Sequence, residues 1–320
     1  MNPTSRDALD ALYRYLETQQ APESLLGLQR AVLSKAERAL ASTGQWTVLD
    51  YPLALARALG VPAEAALPVA GACALFYAFA DVTDDAQDHD LAPSPWDAWG
   101  WEQAVNTGTA LLFASLRSLE ERLPVEVAAQ ASAVLVRAGL EMSYGQHMDL
   151  IGLAAERAGL ADYMLAIERK SGASFGAYAE LVAIAGGLEP ARVAAYRAFG
   201  RALGTLYQMM NDTHELWGMA LCPDFVNRRR ALPFVLAFEQ LSEEALIRFR
   251  RLLEGPADWE HQAELVALLE AAGIKSYLTM RIELQRRRAL DLATQLGIGA
   301  EPYLAGMLAS PAFPTAPVAI

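Results

Sequence analysis

The sequence predicts an all-α fold, and three observations carry that prediction. Apolar residues recur at three- and four-residue spacing along nearly the whole chain, and runs of alternating Val, Ile, Thr and aromatic residues are absent. Of 320 residues, 53% are hydrophobic and 20% charged, which excludes disorder as the main state and supplies a large core. No repeat of solenoid length is present, so the helices are expected to form a bundle around a central active-site cavity. No Ser/Gly/Pro-rich linker divides the chain; residues 1–310 read as a single domain and 311–320, PAFPTAPVAI, as a tail.

Periodicity and breakers place the elements in order. Helices at 5–19, 23–42 and 47–59 lead to a break at Gly-Val-Pro, 60–62. The next helix, 62–89, is ended by the Pro/Trp segment DLAPSPWDAWG at 90–100, and the one at 99–122 stops at Leu123-Pro124. Helices at 124–153 and 159–186 follow, the second closed by Gly186-Gly187; 190–220 ends before Cys222-Pro223. Helices at 229–238 and 241–254 precede Gly255-Pro256, and 257–272, 274–296 and 300–309 complete the set.

Charge narrows the function. Twenty-six basic residues against 38 acidic give a net charge of −12, which repels nucleic acid and anionic membrane surfaces. An anionic substrate must therefore be held by local cations or by metal ions recruited by carboxylates. Cys73 and Cys222 have no CxxC spacing, and the N-terminal stretch lacks an apolar h-region, so a cytoplasmic location is expected. The uncharged apolar stretch 65–80 has 16 residues and contains Pro68. That is short of the roughly 18–20 needed to cross a bilayer and reads as a buried helix, without stable membrane insertion.

Two acidic clusters follow apolar helical stretches. In AGACALFYAFADVTDDAQDHD, Asp81 and Asp85, and Asp84 and Asp88, are spaced i and i+4, so all four lie on adjoining faces. Each like-charge pair costs about 0.2–0.5 kcal/mol even when solvated, and a bound cation relieves it. Only oxygen ligands are offered, which points to a hard ion such as Mg²⁺. In GTLYQMMNDTHELWG, Asn211 and Glu215 are i and i+4, with Asp212 three before Glu215. Either cluster alone is equally the solvated end of an amphipathic helix.

As a pair, the clusters resemble the motifs of the trans-isoprenyl diphosphate synthases, or polyprenyl synthetases, and through them the class I terpene synthase fold. The resemblance covers about 20–290: Asp84, Asp85 and Asp88 match the first DDxxD motif, and residues 211–215, preceded by Tyr207-Gln208, match the second. GQHMDL at 145–150, RKSG at 169–172 and RRRALP at 228–233 fall in the family's order. The resemblance implies an isoprenoid synthase fold and a homodimer. It implies two motifs facing each other across a deep cavity and three Mg²⁺ ions on an allylic isoprenyl diphosphate. It assigns metal binding to Asp84, Asp88, Asn211 and Glu215, with Asp85 and Asp212 beside them, and diphosphate binding to Lys170 and Arg229. Ionisation of such a substrate leaves a carbocation that needs a dry pocket; Phe76, Tyr77, Phe79, Tyr178 and Tyr207, with Gln208, are the candidate lining, although aromatics at helical spacing are more often plain core. His89, His147, His214 and His261 show no ligand spacing with one another.

Two departures shape the functional expectation. Chain-elongating members of the family carry cations upstream of the first motif and arginines just after it, for isopentenyl diphosphate. Here 44–56 and 89–116 contain no Lys or Arg, and Asn211 replaces the first Asp of the second motif. Burying a second diphosphate without counter-charge costs several kcal/mol. The leading expectation is therefore a terpene synthase that cyclises or quenches the cation. The alternative is an isoprenyl diphosphate synthase, or a prenyltransferase to an indole or peptide acceptor, and the non-enzyme rival is a regulatory subunit.

Overall fold

Helix α1 (Ser5–Thr18) opens on a reciprocal cap in which Thr4 Oγ1 accepts from the Asp7 amide and the Asp7 carboxylate accepts from the Thr4 amide. The computed structural model describes residues 3–87, 99–152 and 158–313, and among these there is no strand, as the periodicity predicted. The chain divides into two compact units. The first takes Met1–Gly139, Gly176–Arg197 and Leu296–Ala305; the second takes Leu140–Phe175, Ala198–Gln295 and Gly306–Ile320.

In the first unit, α2 (Glu23–Thr43), α3 (Thr47–Leu59), α4 (Ala63–Gln87) and α5 (Gly100–Arg122) follow α1, and α6 (Val125–His147) begins here. Helix α4 is the axis: it packs along α5 and against α3 and α1. Its apolar run is core, with Leu75 and Phe76 fully buried, and each such side chain contributes about 1.5–3 kcal/mol by leaving water. Although α4 is long and apolar enough to span a bilayer, 67% of its apolar window is buried in protein. Close approach of α5 depends on Gly108, where a Cβ would meet Thr83 Oγ1 at 2.8 Å and Val82 Cγ1 at 3.0 Å. Seven residues further along α5, Ser115 Oγ donates to the Ala72 carbonyl at 2.8 Å.

The second unit holds the end of α6, then α7 (Leu160–Ile167), the start of α8 (Ala173–Ala185) and the greater part of α9 (Pro190–Trp217). It continues through α10 (Pro223–Val226), α11 (Leu232–Gln240), α12 (Glu243–Glu254), α13 (Trp259–Ala271), α14 (Ile274–Leu296) and the end of α15 (Pro302–Ala309). Three predicted elements differ. The helix expected over 124–153 changes to a π turn at Met148–Gly152, and that over 159–186 is interrupted by another at Glu168–Gly172. The two sit where backbones nearly touch: a Cβ on Gly145 would lie 2.8 Å from the Lys170 nitrogen and 2.9 Å from the Ala166 oxygen. The helix expected at 229–238 starts at Leu232, because Arg228 adopts φ +57 and Ala231 is extended before Pro233. Of the expected tail, residues 311–313 bond back to α9, where Thr213 Oγ1 donates to the Ala312 carbonyl at 2.7 Å and Trp217 meets Phe313 edge-on.

Candidate active site

The first acidic cluster ends α4. Asp81, Asp84 and Asp85 are described; Asp88 and His89 lie outside the described residues. The carboxylates do not stand alone, since Lys35 of α2 donates to Asp81 Oδ2 at 2.5 Å and to Asp85 Oδ2 at 3.4 Å. Tyr77, one turn earlier, donates to Asp81 Oδ1 at 3.3 Å, and the charge of Asp81, then burial, pushes that phenol well above its ordinary value, so it remains a donor. Burial works to lower Lys35, but Asp81 and Asp85 together hold its ammonium above the usual range. Trp46, at the start of α3, packs edge-on against Tyr77 at 5.9 Å, and its amide donates to Asp50 Oδ2 at 2.5 Å. An indole thus occupies the segment where the sequence offers no cation.

The second cluster is built around a buried carboxylate. Asp212 of α9, 4% exposed, accepts from Tyr163 OH at 2.6 Å, the Leu232 amide at 2.7 Å and Gln208 Nε2 at 3.0 Å. Gln208 is itself fixed by Ser171 Oγ, which donates to its Oε1 at 2.7 Å from the π turn. Asn211 Nδ2 donates to Glu215 Oε1 at 2.6 Å, so this pair shares one face of α9 as its spacing predicted. Lys170 lies in the same π turn as Ser171 and donates to Asp149 Oδ2 at 3.3 Å. Arg229 follows α10, its amide donating to the Asp224 carbonyl at 2.8 Å.

Three acids here are held towards their protonated forms. Burial, then the charge of Asp212, pushes Glu215 up to about 7, against the Asn211 hydrogen bond and the Arg229 charge. Burial, then Asp212 and Glu215, pushes Asp224 well above the carboxylate range. Asp212 is raised by burial, with its three donors pulling the other way. Glu215, Asp224 and Cys222 bring their ligand atoms within 4.8 Å of one another. Burial pushes the Cys222 thiol up to about 12, so it is protonated in the metal-free chain, beside two oxygen donors. Carboxylates that repel one another in a low-dielectric site fit a hard divalent cation such as Mg²⁺.

The candidate lining residues divide by environment. Phe76 and Tyr178 are fully buried and pack as core; Tyr77, Phe79, Tyr207 and Gln208 are half-buried. Phe76 and Phe79 rings are 5.8 Å apart, and Tyr207 stacks on Phe175 at the same separation. His214 Nε2 is 3.1 Å from the Pro311 carbonyl. Sequence reasoning missed Lys35, Tyr163 and Asp224, and met Ser171 only as part of RKSG at 169–172. Of the missed residues Asp224 had a local signal, as an acid between the second cluster and RRRALP; Lys35 and Tyr163 reach the clusters through tertiary contacts.

The family model described as polyprenyl synthetase matches residues 50–270, a span that includes both clusters. A geranylgeranyl diphosphate synthase of Mycobacterium tuberculosis is 27% identical over 263 residues, 78% of this chain and 75% of that protein. A short chain isoprenyl diphosphate synthase of Methanothermobacter thermautotrophicus is 27% identical over 286 residues, 85% of this chain and 87% of its own. The crystal structure of a polyprenyl synthetase from Streptomyces coelicolor superposes with a TM-score of 0.79 at 21% identity, covering 95% of this chain and 96% of that one, a likeness of fold.

Proposed function

We propose that this chain, which belongs to the polyprenyl synthetase family, is a Mg²⁺-dependent prenyltransferase that ionises an allylic isoprenyl diphosphate and joins it to isopentenyl diphosphate. The observation that carries the reading is the family match across both acidic clusters, together with relatives of similar length named as isoprenyl diphosphate synthases. Those relatives favour the alternative of the sequence reading over the terpene synthase placed first. Asp84, Asp88, Asn211 and Glu215 hold metal, with Asp85 and Asp212 beside them, and three ions are expected. Mg²⁺, when bound, supplies positive charge to the oxygens of the departing diphosphate. The chain's own residues do the rest. Lys170 and Arg229 bind the diphosphate, Asn211 and Gln208 orient the carboxylates they bond, and the half-buried rings of Phe79 and Tyr207 keep water from the carbocation.

A second reading has one observation in its favour. Between 44 and 56 there is no Lys or Arg, and Trp46 packs on Tyr77 in that segment, so the acceptor diphosphate lacks its usual cations and the cation could instead be cyclised or quenched. Purified protein with ten-, fifteen- and twenty-carbon allylic diphosphates and Mg²⁺ separates the cases. Consumption that requires isopentenyl diphosphate supports the transferase. Diphosphate release with a hydrocarbon or alcohol product in its absence supports the cyclase, and neither, with indole or peptide acceptors also inert, supports the regulatory subunit. A second copy of the chain is the proposed partner. On α6, Val136, Leu140 and Tyr144 stand 53%, 54% and 54% exposed at i, i+4 and i+8, an apolar stripe fit to be covered, and a monomer mass by light scattering would count against it.

A further inference from the structure

Helical geometry sorts the first acidic cluster into faces. Asp81 and Asp85 are i and i+4 and stack together, while Asp84 is turned about 100° from Asp85 around the axis of α4. Lys35 takes the first of these faces, bonding both Asp81 and Asp85. The group is half-sheltered: Lys35, Asp81 and Asp85 side chains are 33%, 17% and 25% exposed, so the ion pairs are screened less than surface ones. Asp81 is also pinned from its other oxygen by Tyr77, which makes it an anchor for the ammonium rather than a mobile partner. The ammonium stands against Asp85, the neighbour of Asp84 in sequence, and any divalent ion drawing on Asp85 meets a cation already there.

We propose that Lys35 is a positioning residue, a tethered counter-ion that competes with divalent metal for Asp85. The inference rests on the reading that the cluster holds Mg²⁺, and it names a residue that sets how readily the metal loads. Two effects act together: the ammonium occupies an oxygen the ion would use, and its charge opposes the ion's approach. Removing it tightens metal binding even before substrate arrives.

The test titrates Mn²⁺ into the substrate-free full chain near neutral pH, reading free Mn²⁺ by electron paramagnetic resonance. Lys35→Met is expected to lower the Mn²⁺ concentration for half-saturation at least about threefold, and Lys35→Arg to stay near the parent value. The double variant Lys35→Met/Asp81→Asn carries the parent's net charge and keeps a polar partner for Tyr77. If Lys35 acts only through its field, the double variant matches the parent; if it holds Asp85 aside, the double variant still binds at least about twofold tighter. Unchanged or weaker binding in folded Lys35→Met, or a double variant equal to the parent, overturns the proposal. Diphosphate release is assayed separately: variants that bind Mn²⁺ as expected in a chain that releases none would refute the proposed function and leave the role of Lys35 standing.

Discussion

Tyr163→Phe probes the buried carboxylate at the heart of the second cluster. The phenyl ring keeps the packing of a side chain only 2% exposed, so no cavity forms, and the single loss is the 2.6 Å hydrogen bond to Asp212. A hydrogen bond to a charged group contributes about 1.5–3 kcal/mol, and Asp212 retains the Leu232 amide and Gln208. With an unfolding entropy near 2 cal/mol/K per residue, a loss of about 2 kcal/mol lowers the melting temperature of a chain this size by about 3 °C. The effect depends on pH with a definite sign. Burial raises the Asp212 carboxyl above its unfolded value, so the stability it contributes is full below the ordinary carboxylate range and is lost as pH rises through the folded value. Tyr163 is the strongest of the hydrogen bonds opposing that shift, and it matters most to the ionised form. The gap in melting temperature between parent and variant should therefore widen from mild acid to above neutrality, followed by circular dichroism across pH. No gap, or one that widens in acid, would refute the reasoning.

Other variants test separate parts of the site. Gly145→Ala would bring a Cβ within 2.8–2.9 Å of the Lys170 nitrogen and the Ala166 oxygen, and should cost about 3 kcal/mol or more in urea unfolding. Glu215→Gln removes a carboxyl pushed from 4.5 up to about 7, so the metal-free protein should gain up to about 2–3 kcal/mol above neutrality and little below the ordinary value of 4.5, where Glu215 is protonated in both states; equal gains at both would sink the assignment. Asp84→Ala and Asn211→Ala should abolish turnover with the helical signal intact, and full activity in EDTA would remove metal from the account. Phe79, half-buried against Phe76 and five residues before Asp84, should admit longer substrates as Phe79→Ala; an unchanged range would place the pocket floor elsewhere.

Helix positions were legible where breakers bound an uninterrupted period. The reading at 274–296 coincides with α14, which lies between Gly273 and Gly297, both in the left-handed region at φ +78 and +73. The π turns were not legible, because they arise where α6 meets the segment at 166–170 across Gly145, a contact that local periodicity does not encode. Likewise the faces of the acidic helices followed from spacing, as Asn211 and Glu215 show, while their partners did not. Tyr163 lies 49 residues from Asp212 and Lys35 lies 46 from Asp81. Asp81 read as one more metal-facing acid, and in the structure it holds a lysine instead.

The central claim is transfer of a prenyl group to isopentenyl diphosphate, and isotope incorporation tests it most directly. Radiolabelled isopentenyl diphosphate, incubated with the protein, Mg²⁺ and an unlabelled allylic diphosphate, should appear in a prenyl diphosphate longer by five carbons, and the label should stay unincorporated when EDTA is added. Allylic diphosphate consumed at the same rate with the label left wholly in isopentenyl diphosphate would contradict the claim.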